Sequence, residues 1–283
     1  MASMRDIKRR KNSVTSTQQI TKAMKLVSTV KLQKARTRAE STNPYTDQMF
    51  RTVSSMMAKS GNINHPYLKA GESSRKAVIV ITSNRGLAGG YNSNVVKLIT
   101  GGDFNKDELD IYALGSKGCD LLSRRGYRIV ENRSNIMEGP TFSDANDLCR
   151  TVLESFVKGE VGEIYVAYTH FKNTVTHVPT LRKLLPVEAG EVVEEDTNVL
   201  MNYEPNTEEA LDMIIPKYIT SLFYGALVEA VASENGARMQ AMDSATSNAD
   251  EIISDLTLKF NRARQGAITQ ELTEIIAGAN AIN

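Results

Sequence analysis

The sequence predicts an α/β protein in which long helices at the two ends of the chain pair as an antiparallel coiled coil, with an α/β domain between them. Residues 1–43 contain neither glycine nor proline, and the last 67 residues contain no proline. Between these ends, short β-rich runs alternate with helical patterns. The chain has 283 residues, of which 41% are hydrophobic and 24% charged, so it can bury a sizeable core and has the composition of a folded protein.

The N-terminal helix begins almost at once, because Ser3 is a good N-cap residue and the acidic Asp6 follows three positions later. An α-helix rises about 1.5 Å per residue, so residues 1–43 would extend roughly 65 Å, about twice the diameter of a small domain. One compact domain cannot bury such a helix along its whole length. We predict this helix over residues 1–58 and expect a long partner beside it.

The C-terminal helix has its own start signal, with Asn206 as the cap and Glu209 three residues later. We predict this helix over residues 206–283, and the part after Pro216 would extend on the order of 100 Å. Each glycine inside it weakens an isolated helix by about 1 kcal/mol relative to alanine, so a partner must hold it. The glycines are Gly225, Gly236, Gly266 and Gly278.

Both terminal helices carry a stripe of apolar or small residues at helical spacing. In the C-terminal helix the steps are typical of an alanine-rich coiled-coil seam. The N-terminal helix carries a thinner stripe that can lie along it, so the simplest arrangement is an antiparallel pair. The C-terminal stripe consists of Met239, Met242, Ala249, Ile253, Leu256, Phe260, Ala263 and Ala267, and the N-terminal stripe consists of Ile7, Val14, Ile20, Met24, Val27 and Leu32.

The central part of the chain, which we place at residues 76–190, alternates β-rich and helical segments. This alternation indicates βαβ units and a mainly parallel sheet, as in a Rossmann-like α/β domain. Glycine and proline in residues 59–75, and acidic residues in 188–205, are typical of linkers on either side. The predicted strands are 77–82, 110–114 and 163–168, and the predicted helices lie near 91–100, 116–125 and 143–158.

The charge distribution is uneven although the net charge is only +1. Residues 1–40 hold eleven lysines or arginines against Asp6 and Glu40, and residues 188–212 hold nine acidic residues and no basic one. Such segregation indicates charged partners at defined places. A basic helix can bind nucleic acid or anionic lipid. Residues 1–44 contain no aromatic residue for stacking on single strands, so an acidic protein partner is favoured.

The sequence does not contain the residue patterns of several common sites. Cys119 and Cys149 have no CxxC spacing and the three histidines lie far from them, so neither a zinc site nor a disulfide framework is predicted. No combination of serine, histidine and acid indicates a catalytic triad, and the histidines are expected to be ordinary surface or loop residues. No stretch approaches the roughly 20 apolar residues of a membrane span. The start of the chain lacks the apolar core of a signal peptide, so we expect it to stay in a reducing cytoplasm.

An enzymatic alternative is open at the glycine-rich segment 82–92, which lies between a predicted strand and a predicted helix, where phosphates often bind. The segment lacks both the GxGxxG order and the lysine of a P-loop, so a tight structural turn is preferred. Residues 114–118 repeat the pattern more weakly, and a plain turn is favoured there. A nucleotide-dependent enzyme would bind ATP saturably as the isolated chain, whereas a nucleic-acid-binding coiled coil would bind with steep salt dependence.

Four segments resemble the gamma subunit family of F-type ATP synthases, in the family's order. They read ITKAMKLVS at residues 20–28, SNRGLAGGYNSNV at 83–95, SENGARMQAMDSATSNA at 233–249 and LTLKFNRARQGAITQELTEIIAGANA at 256–281. The resemblance implies a rotor in which the terminal helices form the asymmetric shaft inside a ring of alpha and beta subunits. ATP chemistry would take place in the ring, so the resemblance implies no catalytic residue, cofactor or metal in this chain.

The resemblance also implies where the partners meet the chain. Tyr203 and Glu204 match the foot that meets the membrane ring of c subunits, and an epsilon subunit is a further expected partner. Because the sequence has neither a mitochondrial presequence nor the cysteine-containing insertion of chloroplast relatives, we expect a peripheral location on the cytoplasmic face of a bacterial cell membrane. Asn235 and Gly236 replace more helix-favouring residues of many relatives. Contacts with the beta subunit fall on Met24, Glu234, Arg238, Arg264, Gln265, Thr269 and Glu271.

Overall fold

The computed structural model describes residues 4–59, 65–187 and 207–282. Long helices stand at both ends of these ranges and a sheet with three shorter helices lies between them, which confirms the predicted fold class. The helices and strands are α1 (Met4–Lys59), β1 (Lys76–Ile81), α2 (Tyr91–Thr100), β2 (Leu109–Leu114), α3 (Ser116–Arg124), β3 (Arg128–Asn132), α4 (Phe142–Val157), β4 (Glu163–Phe171), β5 (His177–Leu185) and α5 (Thr207–Ile282).

The sheet has the strand order β3-β2-β1-β4-β5. Neighbouring strands from β3 to β4 are parallel, and β5 runs antiparallel to β4. The three predicted strands and the three predicted central helices are all present. Strands β3 and β5, which lie at the two edges of the sheet, were not predicted. Edge strands are partly exposed and tolerate charged residues and proline, as with Pro179 in β5, so their hydrophobic pattern is weak.

Each face of the sheet packs against its own hydrophobic core, because alternate side chains of a strand point to opposite faces. On one face, Ile79 and Ile81 of β1 pack with residues of α1, α4 and α5, including the fully buried Phe223. On the other face, Val78 and Val80 pack with residues of α2 and α3. The central strands are therefore buried on both sides, as parallel strands usually are.

The described residues divide into two compact units. The first unit is formed by the described parts of Met1–Ser28 and Met239–Asn283, and the second by those of Thr29–Arg238. The second unit contains the whole sheet, and both long helices contribute residues to both units. The predicted division into residues 1–58, 76–190 and 206–283 follows the secondary structure rather than these units, and it stays a prediction.

Helix α5 contains a window, within Glu208–Asn280, that is long and apolar enough by composition to cross a membrane. No such stretch was predicted from the sequence. In the structure, 61% of it is buried within the fold. A helix packed in a protein core meets the same criterion, so the window is explained by the packing of α5.

Candidate functional site

In the first unit, α1 and α5 pair through polar side chains. The hydroxyl oxygens of Thr21 and Thr246 are 2.8 Å apart, and Nζ of Lys25 lies 2.6 Å from Oδ1 of Asp243. As the residue number falls along α1, the number of its partner rises along α5, so the two helices are antiparallel, as predicted. The pairs are Lys25 with Asp243, Thr21 with Thr246, and Gln18 with Asp250.

The predicted seam of α5 is confirmed, since its eight residues are all buried or half-buried. Met242, Ala249 and Leu256, seven residues apart, are almost fully buried. The stripe predicted on α1 is wrong at two positions, because Ile20 and Val27 are 60% and 58% exposed. In the first unit the covered positions of α1 recur at alternating steps of four and three, the coiled-coil period, and several are polar. The positions in this repeat are Ile7, Lys11, Val14, Gln18, Thr21, Lys25 and Ser28, and the neighbouring Thr15 and Met24 are also half-buried.

The end of α5 extends beyond the part of α1 that the structure describes. Met4, where the described α1 begins, is 21 residues before Lys25, and Arg264 is 21 residues after Asp243, so the pairing register ends near Arg264. Every residue in 268–280 is exposed. An isolated helix is marginal in water, and an extended set of exposed apolar side chains usually marks an interaction surface. These side chains are Ile268, Leu272, Ile275 and Ile276.

Four of the predicted contact residues lie on this end of α5, and all four are exposed: Arg264, Gln265, Thr269 and Glu271. The hydroxyl of Thr269 donates to the backbone carbonyl of Gln265 at 2.9 Å. Met24 is half-buried on α1. The side chains on α5 are thus presented on the helix surface, and their contact with a beta subunit stays a prediction. Tyr203 and Glu204 lie outside the described residues.

Glu234 and Arg238, the other two predicted contact residues, form a buried ion pair in the second unit. Oε1 of Glu234 lies 2.7 Å from Nη2 of Arg238, and both side chains are almost fully covered. The guanidinium of Arg238 also donates to the carbonyl oxygens of Arg85 and Gly86, at 3.3 and 3.4 Å. Burial raises the pKa of the Glu234 carboxyl, and the charge of Arg238 opposes that shift. Arg238, paired with Glu234 on the same helix, therefore fastens α5 to the glycine-rich segment, and contact of the two residues with another subunit stays a prediction.

The glycine-rich segment follows β1, where the strand order reverses between β1 and β4. Open α/β folds bind ligands in the crevice at this point. Here α5 lies against the segment, because Oη of Tyr91 donates to the carbonyl oxygen of Ala230 at 3.0 Å and Arg238 binds the carbonyls of the turn. Inside the segment, the backbone N–H of Ser83 donates to Oδ1 of Asn92 at 2.9 Å. This geometry supports a structural turn that holds a helix.

The second glycine turn, at residues 114–118, packs directly on the first. Gly115 has φ +100°, and a β-carbon there would lie 2.1 Å from the carbonyl oxygen of Thr82. The backbone N–H of Gly118 donates to Oγ1 of Thr82 at 2.9 Å. Only glycine allows this close approach, so the turn is a packing feature between β1 and α3.

Two histidines of the sheet hold α5, a role that the sequence pattern did not predict. Nδ1 of His170, in β4, lies 2.7 Å from Oε2 of Glu229, and His177, in β5, packs against Gly236. His170 is a surface residue as expected, with 46% of its side chain exposed, but both histidines lie in strands rather than loops and contact α5. The sequence does contain a signal for this contact. Glycine and other small residues at 230–236 allow strands to approach a helix closely.

Comparison with known proteins gives one consistent result. The ATP synthase family profile matches residues 3–282. An ATP synthase gamma chain of Lachnoclostridium phytofermentans is 65% identical over 291 residues, which cover 100% of both chains. A gamma chain of Alkaliphilus metalliredigens is 45% identical and covers 99% of this chain and 98% of its own. A sodium-ion-specific ATP synthase gamma chain of Acetobacterium woodii is 42% identical over 99% of each chain.

Solved structures show the same fold. A chain of the central stalk and c-ring of the Tetrahymena thermophila mitochondrial ATP synthase matches with a TM-score of 0.61 and 25% identity, over 80% of this chain and 99% of that one. A chain of the Euglena gracilis mitochondrial ATP synthase matches with a TM-score of 0.71 and 18% identity, over 99% and 94%. The sequence matches extend over nearly the whole length, and on that evidence the chain belongs to the ATP synthase gamma chain family.

Proposed function

We propose that this chain is the central rotor shaft of a bacterial F-type ATP synthase. It couples ion flow through the membrane c-ring to ATP synthesis or hydrolysis at the beta subunits by rotation, and it is a non-catalytic subunit of that complex. One observation carries this proposal. In the first unit α1 and α5 pair as an antiparallel coiled coil, and residues 268–280 of α5 then continue exposed on every side. A helix end of this kind needs a surrounding protein to cover its apolar side chains.

The contacts with the beta subunit are proposed on the end of α5. Arg264, Gln265, Thr269 and Glu271 are exposed there, and Met24 is proposed as a contact on α1. Glu234 and Arg238 are proposed to contact the beta subunit together, as an intact ion pair. If the beta subunit bound only one of the two charges, the other would be left buried and unpaired, which is energetically costly.

The basic start of α1 supports an acidic partner. Arg5, Lys8, Arg9 and Arg10 are all exposed, and the resemblance implies that the beta subunit presents an acidic segment to the shaft. Charge complementarity mainly speeds and orients such an encounter. Each exposed ion pair contributes only about 0–1 kcal/mol, so the shape of the paired helices has to provide most of the grip.

The chain is part of a membrane-associated complex. We place it on the cytoplasmic face of the bacterial cell membrane, where it meets the membrane only through the c-ring. Tyr203 and Glu204 are proposed as the foot on that ring, with an epsilon subunit beside it. The bacterial source of the relatives supports this location. In inverted membrane vesicles an added protease should reach the chain, whereas in right-side-out vesicles it should not.

Reconstitution tests the rotor function directly. Alpha and beta subunits are mixed with and without this chain, and the mass and ATPase activity of the product are measured. We expect one copy of the chain for every three alpha–beta pairs, and a higher ATPase rate when it is present. ATP hydrolysis or saturable ATP binding by the isolated chain would contradict the proposal, and so would its failure to join the ring.

The residue assignment is tested by the double substitution Arg264→Ala with Gln265→Ala. We expect assembly or ion transport per ATP to fall in the reconstituted complex, while the isolated chain unfolds as the wild type does, because both side chains are exposed. The matched control removes an exposed arginine and an exposed amide from α4, as Arg150→Ala with Asn146→Ala. If both double variants behaved alike, the assignment of Arg264 and Gln265 would be wrong.

A further inference from the structure

Helix α5 crosses the sheet at the end where β4 stops and β5 starts. Paired residues of β4 and β5 share a face, so His177 lies on the same face as Phe171, with which it pairs, and on the opposite face from His170. Glu229 of α5 contacts His170, and Gly236 contacts His177. Between residues 229 and 236, about 10 Å along the helix axis, α5 therefore passes from one face of the sheet to the other.

Within this crossing, α5 is held from several directions. The Glu229–His170 contact is 2.7 Å, and the carbonyl of Ala230 accepts a hydrogen bond of 3.0 Å from Tyr91 at the start of α2. Farther along, Arg238 is paired with Glu234 and donates to two carbonyls of the glycine-rich segment. Three parts of the sheet domain, by which we mean the sheet with α2, α3 and α4 and their connecting turns, thus hold ten residues of α5. They are β4, β5 and the glycine-rich segment, which runs into the start of α2.

Within this stretch α5 is covered on every side. Residues 232–236 are five consecutive buried residues, and successive residues of an α-helix point about 100° apart, so these five cover more than a full turn. Three of them are small, namely Ala232, Ser233 and Gly236. A β-carbon at Gly236 would lie 2.5 Å from Nε2 of His177. Small side chains allow the surrounding elements to approach from every side, which an amphipathic surface helix does not permit.

We propose that residues 229–238 of α5, together with His170, Tyr91, Arg85, Gly86 and His177, form a torque joint, in which Tyr91 and Glu229 are positioning residues for rotary coupling. The inference rests on the proposed rotor function. Torque that enters the sheet domain reaches α5 only if the helix cannot turn about its own axis within that domain. Contacts on one face would allow such slippage, whereas hydrogen bonds and ion contacts spaced around the helix resist it.

The test uses a pair of substitutions that keep the shape of each side chain. Tyr91→Phe removes the hydroxyl that binds the carbonyl of Ala230, and Glu229→Gln removes the charge that binds His170. The matched control makes the same chemical changes elsewhere in the sheet domain, as Tyr165→Phe, which removes a hydrogen bond of 3.0 Å to Glu163, with Glu131→Gln. Each variant is assembled into the complete complex and reconstituted into vesicles, and ions transported per ATP hydrolysed are measured.

We expect the torque-joint variant to transport fewer ions per ATP by about twofold or more, the scale expected when one or two intramolecular hydrogen bonds are lost. The ATP hydrolysis rate and subunit stoichiometry should match those of the control. If the torque-joint variant and the control transported equal numbers of ions per ATP, the proposed torque joint would be wrong. If the double variant does not assemble, Tyr91→Phe alone provides the same test. Failure of the wild-type chain to assemble or couple would instead overturn the rotor function, so the two failures are distinguishable.

Discussion

The backbone of Gly236 in α5 lies so close to the ring of His177 in β5 that a β-carbon at position 236 would be 2.5 Å from Nε2. The glycine that weakens α5 as a helix is therefore the residue that allows β5 to reach it. In the sequence, Asn235 and Gly236 replace more helix-favouring residues of many relatives, which suggests a less rigid helix at these positions. The structure shows instead that both residues are buried within the crossing of α5 over the sheet.

Replacement of Gly236 by alanine should not stabilise the protein. In an open helix, glycine to alanine gains about 1 kcal/mol, and we expect this gain at Gly266, where a β-carbon would have no neighbouring atom within 4 Å. At Gly236 the new methyl meets His177, so the gain should be cancelled or reversed. Urea unfolding of Gly236→Ala and Gly266→Ala measures both effects. Equal stabilisation in the two variants would contradict the close contact.

The stability of the chain should depend on the charge state of His177. Burial lowers the pKa of this imidazole in the folded protein, while the unfolded value is about 6.5. The stabilisation from a neutral His177 is therefore fully present above about pH 6.5, and it is lost as the pH falls from there through the lower folded pKa. Between pH 7 and pH 5 the free energy of unfolding should fall more steeply for the wild type than for His177→Gln.

Glu234 also affects how the free energy of unfolding depends on pH, because burial raises the pKa of its carboxyl. That shift acts in the opposite sense, since a raised carboxyl pKa favours the folded state at low pH. Glu234 is present in both the wild type and His177→Gln, so its effect cancels in the difference between their pH profiles. Parallel profiles for the two proteins would show that His177 does not titrate differently in the folded state.

Glu163 should stabilise the sheet at neutral pH. Its carboxylate lies 2.8 Å from Nζ of Lys76 and 3.0 Å from Nζ of Lys183. Burial alone would raise the pKa of Glu163, but hydrogen bonds from Lys76, Lys183 and Tyr165 lower it to about 2. Because the unfolded pKa is about 4.3, this stabilisation is present above that pH and is lost as the pH falls towards 2.

We therefore expect Glu163→Gln to lower the free energy of unfolding by about 1–3 kcal/mol at pH 7, and by clearly less at pH 3. The control is Glu138→Gln at an exposed position, which should change stability by less than about 0.5 kcal/mol. Urea unfolding at both pH values provides the measurement. A loss at pH 3 as large as that at pH 7 would mean that the ionised carboxylate does not cause the effect.

The apolar residues of α1 should contribute unequally to folding. Leu32 is 5% exposed, whereas Val27 is 58% exposed. Leu32→Ala should cost about 2–5 kcal/mol, as large-to-small changes in a core do. Val27→Ala should stay within about 0.5 kcal/mol of the wild type in the isolated chain. Thermal unfolding distinguishes the two, and a large loss at Val27 would show that the burial pattern of α1 is different from the one described.

Much of the fold could be predicted because it depends on local properties of the chain. The long stretches without proline and the spacing of apolar residues indicated two terminal helices, and α1 and α5 are observed over Met4–Lys59 and Thr207–Ile282. The buried strands β1, β2 and β4 were visible as β-rich runs. The edge strands were missed, because a strand that is partly exposed does not need a continuous hydrophobic pattern.

The two halves of the coiled coil show the limit of apolar periodicity. The α5 seam was predicted correctly because Met242, Ala249 and Leu256 are apolar or small. The α1 seam includes Thr21 and Lys25, which find partners on α5. Apolar periodicity therefore placed Ile20 and Val27 in the seam, although a polar residue with a hydrogen-bonding partner can also occupy a seam position, at some cost in stability.

The sequence by itself determined the terminal helices, the class of the central domain and the family to which the chain is similar, because all of these follow from residue pattern and order. Only the tertiary structure decided how α5 is held. Tyr91 and Ala230, His170 and Glu229, and Arg238 and the glycine-rich segment are far apart in sequence. They meet because the strand order reverses at β1 and β4, and α5 crosses the end of the sheet there.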